Sequence, residues 1–435
     1  MAIYRGKHIT IGLGTSDMSN GYDAAKYAAE KSIFLFEKPR TFSIVYASSN
    51  LDPKEVLRGI NEVLGENDWV GASADRQFST IAPYSDKTSV TVLSIQSDYM
   101  HFGIGVANNY RRNAQKGGLE ATKQALKNIR SDKYIDAYVQ FNRHKHQDYS
   151  RIVRHPPYFI LTYASGAEYK KGKPVSGEEI DFLKGIQEHL GPNIPIFGGG
   201  ASSDFQEYLE LSKGSNYLFA NGKLYDDAGI VVFAISNLYF SSDVLHSYIP
   251  TEKSVSVTKI DRTGHEILEL NGKEPVEEYC SLIGVKKEDY LKEPFMYSLK
   301  NPLGMITPEG SFVKEALPNK DGKTLHSTYK LMQNYVLSIM KYDDKSHYNT
   351  MQQSLKKALK YDKTLCLGLY CTCSTRRLLE GDDTGKIINS LTKSTKVPIM
   401  GFYAFSEIGN TKTGSAQVHG ESVTAMFIYD KLLVD

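Results

Sequence analysis

The chain has 435 residues, 41% of them hydrophobic, with 52 basic and 50 acidic side chains and a formal net charge of +2. That size supports a large core and more than one domain, and so even a charge balance excludes a global positive field for sequence-independent nucleic-acid binding. The longest strongly apolar run, AGIVVFAI from Ala228 to Ile235, is far short of the roughly 20 residues a membrane-spanning helix needs.

Taken in chain order, the opening MAIYRGKHITIGLG carries early basic residues but no apolar signal segment, so the expected location is the cytoplasm. The first strong strand signal is FSIVYAS (42–48), followed by DPKEVLRGINEVLG, a helix with Val56, Leu57, Ile60, Val63 and Leu64 on one stripe and Gly65 at its end. WVGASAD (69–75) and SVTVLSI (89–95) read as two further strands. The same order returns in FILTYAS (159–165), a helix in SGEEIDFLKGIQEHLG capped by Ser176 and closed by Gly191, then IFGGGASSD (196–204) and GIVVFAI (229–235). It returns again in TLCLGLYCTCS (364–374), TGKIINSLTKS, IMGFYAFSEIG (399–409) and SVTAMFI (422–428). The expected fold is therefore α/β, with three related β-α-β-loop-β units forming mixed sheets that carry packed helices.

In such sheets ligands sit beyond the carboxyl ends of the parallel strands, where all three small-residue loops fall. Gly198, Gly199 and Gly200 in IPIFGGGASSD let the backbone take φ > 0 or come close to another group. Two readings follow: a ligand approaching the loop, in which case a side chain at position 199 would block it, or close packing of the loop itself. Between the repeats, FNRHKHQDYSRIVRHPPY (141–158) carries His144, His146 and His155 and reads as a surface loop ended by two prolines. The stretch 320–349 around YKLMQNYVLSIM reads as an inserted helix with a core stripe of Leu331, Tyr335, Ser338 and Ile339. His101, in the alternating DYMHFGIGV, reads as a core histidine.

The order GTSDMSNGYDAAKYAAE, GASAD, IFGGGASSD, NGKLYDDAGIVVFAI, NPLG, CSTRRLLEG and GFYAFSEIG resembles the FIST sensory proteins over nearly the whole chain. The resemblance implies an N-terminal FIST domain over 1–245 with the first two units, and a C-terminal FIST domain over 246–435 with the third unit and the helical insertion. It also implies a cytoplasmic small-ligand sensor in signal transduction. The ligand would be an amino acid or similar polar metabolite held between the domains, and the partner a histidine kinase or other signalling protein. Some relatives bind haem and sense nitric oxide, so a haem sensor is a second reading; the expectation here is a protein without a cofactor.

Residue by residue, Gly198 to Gly200 and Asp204 match the family's glycine-rich loop, where Ser202 and Ser203 replace an acidic residue and a glycine. Cys373 and Arg376 match the SCAGR pattern, Tyr403, Glu407 and Gly409 match GFYTYGEIG, and His419 opens HGES where relatives have HNQT. The expected ligand set is Gly198, Gly199, Gly200, Ser202, Asp204, Cys373, Arg376, Tyr403, Glu407 and His419. In it Arg376 holds a carboxylate, Glu407 or Asp204 an ammonium, and Asp204, Arg376, Glu407 and His419 line one cavity walled by Ser202 and Tyr403. A salt bridge internal to these residues is the competing reading. Cys373, His419 and Glu407 are also the residue types of a cysteine hydrolase, a third reading. Cys280, Cys366, Cys371 and Cys373 are too few for a disulfide framework and lack metal-site spacing, so they read as reduced, buried thiols with no metal.

Overall fold

The computed structural model describes residues 2–82, 88–129, 133–146, 155–170, 173–175, 177–211, 214, 216–308, 310–327 and 329–434. They divide into two compact units, one built from 2–245, 351–418 and 423–434, the other from 246–350 and 419–422. The first unit contains the first two repeats and, apart from the first turns of one helix, the third.

Each repeat is longer than the sequence pattern suggests, because a strand and a helix precede the expected unit. The opening strands are Thr10–Ser16, Met100–Asn108 and Leu238–His246; the helices after them are Gly21–Ile33, Ala114–Lys127 and, beyond a long insertion, Asp344–Tyr361. In the first two repeats a G-x-G in the strand lets the helix sit at backbone contact. A Cβ at Gly105 would lie 1.9 Å from the Ala121 carbonyl oxygen, and one at Gly14 1.9 Å from that of Ala28. Small residues on the facing helices, Ala24, Ala25, Ala28 and Ala29 in one and Ala121 and Ala125 in the other, complete that packing.

An inner strand follows: Phe42–Ser48, Tyr158–Ala164 or Leu365–Cys373. The helices Pro53–Leu64 and Glu179–Leu190 end at Gly65 (φ 72°) and Gly191 (φ 86°), as their sequences indicate, whereas the expected cap Ser176 lies outside the described residues. In the third repeat, helix Ser374–Glu380 precedes the expected helix, which spans Thr384–Lys393. The second strand of each repeat, Trp69–Ala74, Ile196–Gly200 or Ile399–Ala404, runs parallel to its inner strand. The closing strands Val90–Gln96, Ala228–Ser236 and Ser422–Leu432 are antiparallel on the other side.

The loop after each second strand contains a further strand, and that strand leaves its own sheet. Gln77–Ser79 of repeat one pairs with the second strand of repeat three, Leu218–Ala220 of repeat two with that of repeat one, and Ser406–Asn410 of repeat three with that of repeat two. The exchange is cyclic, so three sheets close on one another around a shared apolar core containing Tyr46, Tyr163, Phe402 and Cys371.

Register makes Ser73, Gly200 and Tyr403 equivalent, and hence Asp75, Ser202 and Phe405 two residues on. Ser202 N donates to Ser73 O at 3.1 Å and Phe405 N to Gly200 O at 3.2 Å. The third link is bridged: Asp75 N donates to Ser202 Oγ at 2.8 Å, and that hydroxyl donates to Tyr403 O at 2.5 Å.

The second unit is a seven-stranded antiparallel sheet with the strand Val336–Tyr342 inside it, packed under the helices Pro275–Ile283, Lys287–Lys292 and Pro294–Lys300. The helix expected over 320–349 is therefore corrected. The strands Leu325–Ser327 and Val336–Tyr342 occupy it, and a helix begins only at Asp344. Asn334 at φ 70° turns the chain, and from Val336 to Ile339 burial alternates at period two, with Leu337 and Ile339 inside and Val336 66% exposed.

Removing the Ser202 hydroxyl strands a buried N–H and a buried carbonyl. Ser202→Ala is expected to lower stability by about 1–3 kcal/mol, read as a lower urea midpoint at unchanged slope.

Candidate functional site

Beyond the carboxyl ends of the parallel strands, the three repeats bring charged side chains together. Asp75 follows the second strand of repeat one, and its carboxylate is fully buried. Arg377, from helix Ser374–Glu380 of repeat three, grips it with two bonds, Nε to Oδ2 at 3.0 Å and Nη2 to Oδ1 at 3.1 Å. Phe205 N, from repeat two, donates to Oδ1 at 3.2 Å. Arg76 Nη1 donates to Asp204 Oδ2 at 2.9 Å and lies 3.5 Å from Asp75 Oδ1. Asp204 Oδ1 in turn caps the turn that follows, accepting from Gln206 N at 3.1 Å and Glu207 N at 3.2 Å.

The side chains of Arg377, Arg76 and Asp204 are 13%, 14% and 17% exposed, so the network has a buried anchor and an accessible rim. Burial pushes the Asp75 carboxyl up, opposed by the guanidinium groups of Arg377 and Arg76. Half-burial acts the same way on Asp204, but the Glu207 N–H and Arg76 outweigh it and hold that carboxyl below its usual range.

The expected ligand residues divide among different environments. Asp204 belongs to the network. Arg376 does not: it is fully buried, 3.8 Å from Glu380 Oε1, and Glu380 Oε2 accepts from the Tyr403 hydroxyl at 2.9 Å. The neighbouring Arg377 is the one that reaches the network. Ser202 is fully buried, and its hydroxyl closes the three-repeat link described above. Glu407 is fully buried in the exchanged strand opposite Gly199. Burial, and then the Glu407 carboxylate, push the Cys371 thiol up, which keeps it protonated.

The three glycines are strand residues rather than a loop, and none has positive φ. A Cβ at Gly199 would lie 2.3 Å from Ser406 O and 2.6 Å from Cys371 Sγ, and one at Gly198 1.7 Å from Thr162 O. At Gly200 it would meet Glu179 Oε1 at 2.6 Å. The close approach is made by the protein's own strands and, at Gly200, by the Glu179 side chain of helix Glu179–Leu190.

Cys373 stands where Ser48 and Ser165 stand in the other repeats, at the N-cap of helix Ser374–Glu380, with its thiol 2.9 Å from Thr375 Oγ1. All four cysteines are buried, and no cluster of three or more potential metal ligands occurs among the described residues. His144 lies on a helical stretch that continues from Lys133–Phe141 through Asn142–His146, where the sequence suggests a loop; 147–154 lie outside the described residues. His101 is half-buried in its strand, and burial lowers its pKa.

His419 belongs to the second unit, where its ring stacks on Phe312 with centroids 5.6 Å apart. Two positions on, Glu421 has φ 53°, is 3% exposed, and accepts from the Tyr248 hydroxyl at 3.4 Å. Burial, and then the Glu421 charge, push the carboxyl of Glu315 up to about 8.

The FIST N domain family matches residues 41–273 and the FIST C domain family residues 275–410. The chain belongs to the FIST family. FIST domains are associated with sensory signal transduction. The boundary between the two matched domains falls in the second unit, so the FIST N match holds repeat two and repeat one from its inner strand onward, and the FIST C match holds repeat three from its helix Asp344–Tyr361 to the exchanged strand Ser406–Asn410. An uncharacterized protein of Methanocaldococcus jannaschii is 25% identical over 200 residues, 43% of this FIST chain and 37% of that relative. Over nearly their full lengths, a cyanuric acid hydrolase from A. caulinodans (TM-score 0.36, 7% identity, 96% of this chain and 99% of that one) and a chorismatase (TM-score 0.30, 8% identity, 98% and 99%) are only distantly similar. No helix among the described residues is long and apolar enough to cross a membrane.

Two expectations follow from this geometry. Gly199→Val drives a branched side chain into the Ser406 backbone, so it should cost folding itself rather than one binding property. A collapse in expressed, cooperatively melting protein checks this; a normal melt would contradict it. Glu315 sets a pH dependence. Its unfolded carboxyl ionises near 4.5 and its folded one at about 8, so the native state holds the extra proton between them. Its stabilising contribution is complete below the lower value and is lost as pH rises through the upper one. Glu315→Gln should flatten that decline, measured by urea unfolding at about pH 6 and about pH 9.

Proposed function

We propose that this FIST protein is a sensory module in signal transduction that binds a small polar metabolite carrying both charges, with an amino acid as the type case, at the Asp75–Arg76–Arg377–Asp204 network. One observation carries this reading: groups of both signs from all three repeats meet at the carboxyl ends of the parallel strands, with Arg76, Arg377 and Asp204 partly open to solvent. A ligand carboxylate replaces an internal carboxylate on a guanidinium, and its ammonium replaces Arg76 on Asp204. Because Asp204 also caps the helix Phe205–Leu211, exchanging its partner re-poses that helix, and the ligand's differential affinity for the two poses is the signal passed to a histidine kinase or other signalling partner.

A thermal-shift panel of amino acids and dicarboxylates, followed by native mass spectrometry of the protein from its own host, tests this. At a hundred times its Kd a true ligand stabilises by about 2.7 kcal/mol. Asp204→Asn keeps the helix cap but removes the charge, and should abolish the shift for ammonium-bearing ligands. Absence of any shift and of any co-purified small molecule, or a shift untouched by Asp204→Asn, would overturn the reading.

A further inference from the structure

A cavity of about 290 Å³ lies in the first unit at the amino ends of the parallel strands of repeat two, the end away from Asp204. Its walls include the rings of Tyr239, Phe240 and Tyr361. Among its lining residues are Lys412 and His155 but no Asp or Glu. The His155 ring stands edge-on to Tyr239, with centroids 5.6 Å apart. On the same tyrosine, Lys431 Nζ sits 5.2 Å from the ring centroid while paired with Asp362 at 2.8 Å.

The rim is built rather than loose. Asn410 Oδ1 accepts from Ile196 N at 2.7 Å, and its Nδ2 donates to Ile194 O and to Gly414 O, both at 2.8 Å. Thr411 N donates to Ser415 O at 2.8 Å, so the turn carrying Lys412 is pinned at both ends. Lys412 itself is exposed and makes no ion pair among the described residues. The aromatic rings select a flat ring, the polar remainder of the wall (Asn193, Ser241, Ser242 and Thr411 among it) tolerates polar substituents, and an unpaired ammonium with no facing carboxylate selects an anion. The volume suits a ligand of one or two rings, at the small end of ligand cavities.

We infer that this cavity binds a small planar aromatic carboxylate, its ring between Tyr239 and Tyr361 and its carboxylate on Lys412. The site is separate from the charge network, and the two stand or fall independently.

Ligand-observed NMR and calorimetry with 4-hydroxybenzoate and indole-3-acetate, against the neutral phenol and indole at equal concentration, provide the test. The acids should bind in the millimolar range or tighter, and the neutral analogues about tenfold more weakly. Lys412→Ala should erase that difference. Ser242→Trp, at an exposed rim position, should block all four probes without altering the melt. No binding by either acid, equal binding of acids and neutrals to the unaltered protein, or binding that survives Ser242→Trp would overturn the inference.

Discussion

Where three strand ends meet, one hydroxyl does what a backbone carbonyl does elsewhere. Two of the three links between repeats are direct N–H to carbonyl bonds; the third passes through Ser202 Oγ, which accepts from Asp75 N and donates to Tyr403 O. A fully buried donor and acceptor that met no partner would each be costly, so the closure of the three sheets depends on this side chain being small, polar and at this position. The exchanged strands act in the same sense. Each covers a sheet edge that would otherwise present unpaired backbone groups, and each does so on a repeat other than its own. No repeat can finish its sheet alone, and the contacts that finish it span up to hundreds of residues, a topology that makes folding slow and closure all-or-none.

The same closure decides which charges meet. The adjacent Asp75 and Arg76 are far in sequence from Asp204 and Arg377, and the three sets become neighbours only because the three strand ends do. The buried Asp75 needs a compensating cation, since an unpaired charge in the interior is strongly unfavourable, and Arg377 supplies it in bidentate form. One residue earlier on the same short helix, Arg376 points to another environment and pairs with Glu380. Adjacent helical positions face directions about 100° apart, so two arginines side by side in sequence serve unrelated ends.

The second unit is an insertion between the opening strand Leu238–His246 and the helix Asp344–Tyr361 of repeat three, joined by the four residues His419 to Ser422. Those four are the HGES string. Gly420 has its Cβ position filled by the Tyr329 hydroxyl, and Glu421 puts a second carboxylate near the buried Glu315. Two carboxylates in a dry interior cannot both ionise cheaply, so one retains its proton well into the neutral range.

Legibility in the sequence followed locality. The inner, second and closing strands of all three repeats, and the glycine stops at Gly65 and Gly191, were readable because alternation, helical periodicity and left-handed caps act over a few residues. The first two opening strands were readable in principle from IGLG and FGIG facing alanine-rich helices, a signal of close helix packing rather than of flexibility. The error over 320–349 arose because apolar residues at 331, 335 and 339 satisfy a helical period while also reaching the core of a sheet. By itself the sequence determined the α/β class, the threefold repetition and the family. Which arginine meets which aspartate, why the three glycines are there, and that Ser202 closes a ring were decided only by the tertiary structure, because each depends on strands exchanged between repeats, and no local pattern encodes a partner more than a hundred residues away.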